Sequence, residues 1–391
     1  MPGARWAEGA SRVPFRIPRA KEQSPLTAGE RLCDLGWLDD AGDRVSLYED
    51  ARSGRVTLLL VFSADTAPGL DGAAIRLAEL AARFEALQVQ VLAVTAAGPE
   101  TASRLALPCP LLRDRDFAIG AALERPAGSG DFGCLLLFDP NLRLDCLIDL
   151  AVEDPVGQAL RYCEERARRL SPQLVETQPP VLVLPNLLSE AECQRLIDYW
   201  HRGERYAGGV ANDATGGNVP LHEIKVREDV AIPDQCPQGK ALLALFRGRL
   251  FPEIEKAFGF PASRAETLRL GCYDAEAGGH FLAHRDDTSA FTAHRRFAMS
   301  LFLNSGEYEG GHLIFPEYGP QRYNPPRGSA VVFSCALLHQ VTPVTAGRRF
   351  GLFGFFHGEA EEAVRQRQKA ERLKPLVTMT PTSRSNGWPG A

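Results

Sequence analysis

Two rhythms of apolar and polar residues divide this chain, and the change falls at the proline-bearing stretch Thr177-Gln178-Pro179-Pro180. Upstream, continuous apolar runs alternate with helical stripes. Val56 to Phe62 is apolar apart from Thr57, the pattern of a strand covered on both faces. Ala73 to Leu87 places Ile75, Leu77, Leu80, Phe84 and Leu87 on one broad stripe and predicts a helix. Val89–Thr95 predicts the next strand and Ala102–Leu107 a short helix. Cys134–Phe138, the turn Asp139-Pro140-Asn141 and Leu142–Leu150 predict strand, turn and strand. Asp154–Leu170 predicts a closing helix. Strands alternating with helices make this an α/β domain containing a βαβ unit.

Downstream, Val181–Leu184 predicts a strand, and Ser189-Glu190-Ala191-Glu192 is a capping box that opens a helix through about Trp200. Residues 203–220 are rich in Gly, Asn and Asp and predict a mobile loop. Ala241–Phe258 predicts one helix. Short strands then dominate: Thr267–Tyr273, Ala298–Leu303, Gly311–Phe315, Ser329–Ser334 and Arg349–Phe356. Many strands with few helices suggest a double-sheet β roll. The expected division is a flexible leader over 1–25, an α/β domain over 26–172, a β-rich domain with flanking helices over 178–358, and a charged helix with a disordered tail over 359–391.

Composition narrows the function classes. Of 391 residues, 45% are apolar, enough for sizeable cores, and a net charge of -5 gives no electrostatic reason to expect nucleic acid or an anionic membrane as partner. No long apolar run predicts a membrane span, and the basic N-terminus lacks the apolar run of a secretory signal. Nine cysteines, an odd number without a Cys-x-x-Cys pair, argue against a disulfide framework or structural zinc. Reduced thiols imply a cytoplasmic protein.

The chemistry concentrates in the second domain. His284 and Asp286 are two residues apart, so in an extended segment both can face one metal while Arg285 points away. His339 follows fifty-five positions later, after a predicted strand. Two imidazoles and one carboxylate hold non-haem iron(II) on one face and leave the other open. Arg349 lies in an apolar strand, where its charge is costly without an anion, and a guanidinium grips a carboxylate with two parallel hydrogen bonds. Tyr273 offers a hydroxyl upstream. Lys225 and Arg227, in the strand-like Glu223–Val230, read as a solvated strand edge, with a cavity-facing position as the alternative. His280, His294, His312 and His357 share no partner spacing; His280 and His312 read as polar surface, with the cavity mouth as the alternative.

The stretch from Pro180 to Ile197, Tyr273 with Gly279-His280-Phe281-Leu282-Ala283-His284-Arg285-Asp286, Ser300 to Asn304, Gly310-Gly311-x-Leu313-x-Phe315 and His339 to Phe350 together resemble the prolyl 4-hydroxylase branch of the Fe(II)/2-oxoglutarate dioxygenases. The resemblance implies a double-stranded β-helix (jelly roll). It implies iron ligands at His284, Asp286 and His339, a co-substrate anchor at Arg349 and a hydrogen-bonding tyrosine at Tyr273. Fe(II), 2-oxoglutarate and dioxygen are the implied cofactors, with ascorbate as a candidate reductant. The implied reaction hydroxylates an unactivated C–H bond, with a prolyl residue in a peptide or protein favoured. A free amino acid or small natural product is the alternative substrate.

The first domain resembles the peroxiredoxin-like arm of the thioredoxin fold through Ala28-Gly29-Glu30-Arg31, Val56–Phe62, Pro110 to Asp114 and Leu135 to Pro140. A thiol peroxidase needs a low-pKa cysteine at the start of the helix after the first core strand. Leu70 stands there, and no cysteine lies between Cys33 and Cys109. The domain therefore reads as a non-catalytic module for binding, homodimerisation or substrate presentation. Two readings from other classes compete with the oxygenase: an inactive metal-binding protein and a redox scaffold.

Overall fold

The computed structural model describes residues 25–49, 52–97, 104–125, 131–169, 174–212 and 217–367. The leader, the start of the helix expected at Ala102–Leu107, residues 213–216 of the expected loop and the tail lie outside the described residues. The chain divides into two compact units, Met1–Glu176 with Asn186–Ser189, and Thr177–Pro185 with Glu190–Ala391.

In the first unit β1 (Trp37–Leu38), β2 (Arg44–Val45), β3 (Thr57–Phe62), β4 (Gln90–Thr95), β5 (Leu111–Arg113), β6 (Gly133–Phe138) and β7 (Leu144–Asp149) form a seven-stranded sheet in the order β2-β1-β5-β4-β3-β6-β7. β3 and β4 are parallel, joined by the Leu70–Ala86 helix, and β6 and β7 run antiparallel beside β3. That central arrangement, a βαβ unit flanked by a hairpin, is the thioredoxin core. The apolar run of β3 serves two cores at once. Leu58, Leu60 and Phe62 pack under the Leu70–Ala86 and Pro155–Arg169 helices, whereas Leu59 and Val61 meet Trp37, Leu92, Leu112 and Ile119 on the other face. Ile75, expected on the buried stripe, is 63% exposed. The stripe instead runs through Leu70, Ala73, Leu77, Leu80 and Phe84, with Ala73 and Ala74 taking the buried positions beside Ile75. Leu70 itself is buried at the head of that helix.

The second unit is built from β8 (Val181–Leu184), β9 (Tyr206–Ala207), β10 (Val210–Asn212), β11 (Gly217–Val219), β12 (Lys225–Val226), β13 (Glu228–Ile232), β14 (Arg264–Ala265), β15 (Leu268–Asp274), β16 (His280–His284), β17 (Phe297–Phe302), β18 (Tyr308–Gly310), β19 (Leu313–Ile314), β20 (Arg322–Tyr323), β21 (Ala330–Ser334), β22 (His339–Val341) and β23 (Val344–His357). The larger sheet has the order β8-β21-β17-β23-β15-β13-β9, and the smaller β12-β16-β22-β19-β20. Phe302, Val331 and Phe333 of the larger sheet share a core with Leu313 of the smaller one, so the sheets pack face to face as a jelly roll. Fourteen-residue β23 is the spine, pairing with β15 on one side and β17 on the other.

Two local expectations change. The single helix expected at Ala241–Phe258 is two, Pro237–Arg249 and Phe251–Phe258. Pro252 has no N–H and fits only the first turn of a helix, so a new helix must begin there. The 203–220 region is not one loop: β9 pairs with β13, and β10 with β11.

Candidate active site

The ends of β16 and β22 build the centre. These strands are antiparallel neighbours, and their register places His284 opposite His339 with ring centroids 4.2 Å apart. Asp286 lies just past β16, in a bend rather than in the strand, where its backbone N–H donates to the Cys335 carbonyl at 2.9 Å. One ligand atom from each of the three residues can be chosen so that all lie within 4.8 Å of one another.

Backbone carbonyls set both imidazoles. His284 Nδ1 lies 2.8 Å from the Leu282 carbonyl oxygen and His339 Nδ1 lies 3.0 Å from that of Leu337. A carbonyl only accepts, so each Nδ1 carries a proton and each ring turns its Nε2 towards Asp286. Those Nε2 atoms stand 3.5 and 3.4 Å from the two carboxylate oxygens of Asp286. Burial pushes His339 down to about 4, so it is neutral at physiological pH. Burial opposes the charge on Asp286, but His339, His284 and Arg295 outweigh it and hold the carboxyl below its ordinary range. Two imidazole nitrogens and a carboxylate brought this close together are a donor set that suits a divalent cation.

The centre opens into a cavity of about 510 Å³, a size that suits a small ligand. Phe281, Leu313, Phe333, Val341 and Phe353 supply apolar wall. Tyr273 and Ser300 supply hydroxyls. Arg349, completely buried, lies behind that wall. Its Nη2 donates to Ser300 Oγ at 3.0 Å, and its guanidinium packs 4.7 Å from the Phe302 ring centre and 5.2 Å from that of Tyr273. Its Nε and Nη1 have no hydrogen-bond partner. Buried donors left open are costly, and a carboxylate satisfies them. Gly311, at φ +60°, makes room: a Cβ there would lie 2.9 Å from Arg349 Cδ.

Lys225 and Arg227, expected at a solvated edge, are instead 6% and 9% exposed and line the cavity. The reason is topological. The segment leaves the smaller sheet as β12 and enters the larger as β13, so residues 225, 227 and 229 face the space between the sheets. Arg227 donates twice to Asp229, at 2.5 and 2.7 Å, and once to the Tyr273 hydroxyl at 3.3 Å. Arginine cannot accept, so the phenol keeps its proton to donate elsewhere. The period-two spacing of Lys225, Arg227 and Asp229 was the available sequence signal. Gly271 lets the ion pair lie flat on the sheet: a Cβ there would meet Arg227 Cδ and Nε and Asp229 Oδ1, each at 2.8 Å.

His294 and His357, for which the spacing offered no partner, are buried. His294 Nε2 lies 2.8 Å from Glu266, which also accepts from Arg295 Nε and Nη2 at 2.7 and 2.9 Å. Arg295 Nη1 reaches the Asp286 carbonyl at 3.3 Å and so braces the bend that carries the carboxylate. His357 bonds Glu362 at 2.7 Å. Nothing in the sequence spacing linked Glu266 to residues twenty-eight and twenty-nine positions on; that pairing is tertiary.

Residues 268–357 match the model of the 2OG-Fe(II) oxygenase superfamily. A PKHD-type hydroxylase of Polaromonas sp. (strain JS666 / ATCC BAA-500) is 30% identical over 186 residues, covering 44% of this chain and 76% of that protein. Among solved structures, a Pseudomonas putida prolyl-4-hydroxylase is similar at a TM-score of 0.38 and 20% identity, covering 46% of this chain and 94% of that one. The peroxidoxin BcpB of Mycobacterium tuberculosis is similar at a TM-score of 0.32 and 16% identity, covering 36% of this chain and 97% of that one. The chain belongs to the 2OG-Fe(II) oxygenase superfamily, with a PKHD-type hydroxylase among its relatives, and is an iron- and 2-oxoglutarate-dependent dioxygenase.

Proposed function

We propose that His284, Asp286 and His339 hold Fe(II), that Arg349 binds the far carboxylate of 2-oxoglutarate, and that the enzyme hydroxylates a prolyl residue in a peptide or protein. The observation that carries the reading is the convergence of two imidazole Nε2 atoms on one carboxylate at the wall of a cavity. Bound Fe(II) supplies the redox chemistry that couples oxidation of 2-oxoglutarate to hydroxylation of a C–H bond.

The chain's own residues do the rest. Arg349 offers its free Nε and Nη1, reached past Ser300 and Tyr273, and Tyr273 donates its free proton to the same co-substrate. The Arg295 contact to the Asp286 carbonyl fixes the anionic ligand. Phe281, stacked on His284 at 3.5 Å, and Phe333, edge-on to His339 at 4.6 Å, exclude water from the imidazoles. The substrate assignment rests on the PKHD-type hydroxylase relative and on a cavity open to a side chain. Mass spectrometry of proline-containing peptides incubated with Fe(II), 2-oxoglutarate and air tests it. A gain of one oxygen on proline that requires 2-oxoglutarate is expected. Oxidation confined to free amino acids or small molecules would overturn the substrate class.

A further inference from the structure

The Lys225 wall of the cavity carries more positive charge than the metal and co-substrate chemistry needs. Lys225, Arg227 and Arg269 all line it beside Asp229, and the cavity's other carboxylate, Asp286, belongs to the proposed metal centre. Arg227 occupies that carboxylate with two hydrogen bonds, while Lys225 Nζ stands 4.0 Å from it. Lys225 makes one hydrogen bond, to the Gly209 carbonyl at 3.1 Å, and lies 4.7 Å from the Phe281 ring centre. An ammonium has three donors. Arg269, one strand away on β15, forms no ion pair among the described residues and lies 5.9 Å from the Phe355 ring centre. The other cations of the cavity are accounted for: Arg295 holds Glu266, and Arg285 holds Glu317.

From this geometry, and resting on the function proposed above, we infer that Lys225 and Arg269 form a subsite for a carboxylate of the substrate. An under-paired buried cation at the wall of a reactive cavity is costly unless an anion joins it. Burial first, and the charge of Arg227 next, lower the Lys225 ammonium to about 7. A bound carboxylate would reverse that shift and hold the lysine charged. Gly208 keeps the approach close: a Cβ there would lie 3.0 Å from both Lys225 Cε and Asp229 Oδ2. The carboxylate has two sources, an acidic side chain flanking the reactive residue or a free C-terminal carboxylate.

Anaerobic calorimetry on the full chain loaded with Fe(II) and 2-oxoglutarate tests the subsite. The probes are three short proline peptides: one capped and neutral, one capped with an aspartate flank, and one neutral with a free C-terminus. One acidic probe is expected to bind about tenfold or more tightly than the neutral one. Which one wins identifies the source. The preference should vanish in Lys225→Met and Arg269→Met and return in part in Lys225→Arg, with melting curves showing each variant folded. Equal affinity of all three peptides, no binding of either acidic one, or a preference that survives both Met variants overturns the subsite. Hydroxylation of whatever binds is read separately, so an acidic peptide held but not oxidised contradicts the prolyl reading and leaves the subsite standing.

Discussion

His284 and His339 face each other across an antiparallel ladder, and the same register that pairs their Cα atoms brings their rings to 4.2 Å. The pairing of β16 with β22 is thus the device that converts two remote sequence positions into one pair of facing imidazoles. Asp286 completes it through its backbone bond to Cys335, four residues before His339.

Arg349 should govern the co-substrate and leave the metal alone. Arg349→Ala removes two donors that have no protein partner. The expected result is a rise of tenfold or more in the KM for 2-oxoglutarate, about 1.4 kcal/mol, with Fe(II) affinity unchanged. An unaltered KM would mean that the anchor lies elsewhere.

Glu266 ties acid sensitivity to the brace behind Asp286. Burial works against its charge, yet His294 and Arg295 hold it below the ordinary carboxyl range. A depressed folded pKa stabilises the fold above the unfolded value, about 4.3, and that contribution is lost as pH falls towards the folded value. Glu266→Gln should cost about 3–5 kcal/mol at neutral pH by stranding Arg295, and should flatten the fall in stability below about pH 4. Denaturant titrations across that range check both; an acid limb of unchanged steepness would refute the link.

Gly271 is a packing requirement of the Arg227–Asp229 pair. Gly271→Ala places a methyl 2.8 Å from both side chains, which cannot separate without breaking a buried ion pair. A loss of about 1–3 kcal/mol in unfolding free energy is expected, together with weaker 2-oxoglutarate binding through Tyr273. Wild-type stability in this variant would show that the pair yields freely.

The first unit should fail as a thiol peroxidase. Burial pushes Cys109, Cys134 and Cys163 up to about 12 and Cys146 to about 11, and Leu70 occupies the head of the first helix. Thiolate is the reactive form, so Cys109, Cys134, Cys146 and Cys163 should label slowly with a thiolate-selective reagent at pH 7 and consume no peroxide. Rapid labelling of one cysteine with peroxide turnover would contradict this.

How much of this was legible in sequence depends on the range of the interaction. The β3 run announced a doubly covered strand because every residue from Leu58 to Phe62 is apolar, and the metal triad was legible because His284 and Asp286 lie two apart. Ile75 misled because helical periodicity leaves the phase open by one residue when alanines can also fill the core. Pro252 carried the signal for two helices, but the apolar stripe across it hid the break. Lys225 and Arg227 misled for a deeper reason. Charge predicts exposure only where no partner is at hand; Asp229 stood two positions from Arg227, but the crossing between sheets that turns all three residues inward appears only in the tertiary fold.

The most direct test of the central claim is the visible charge-transfer absorption of Fe(II) with 2-oxoglutarate under anaerobic conditions. The wild-type chain should develop a weak band that needs both components, and His284→Ala and His339→Ala should each abolish it while remaining folded. A band that persists in either variant would mean that iron is held by other residues.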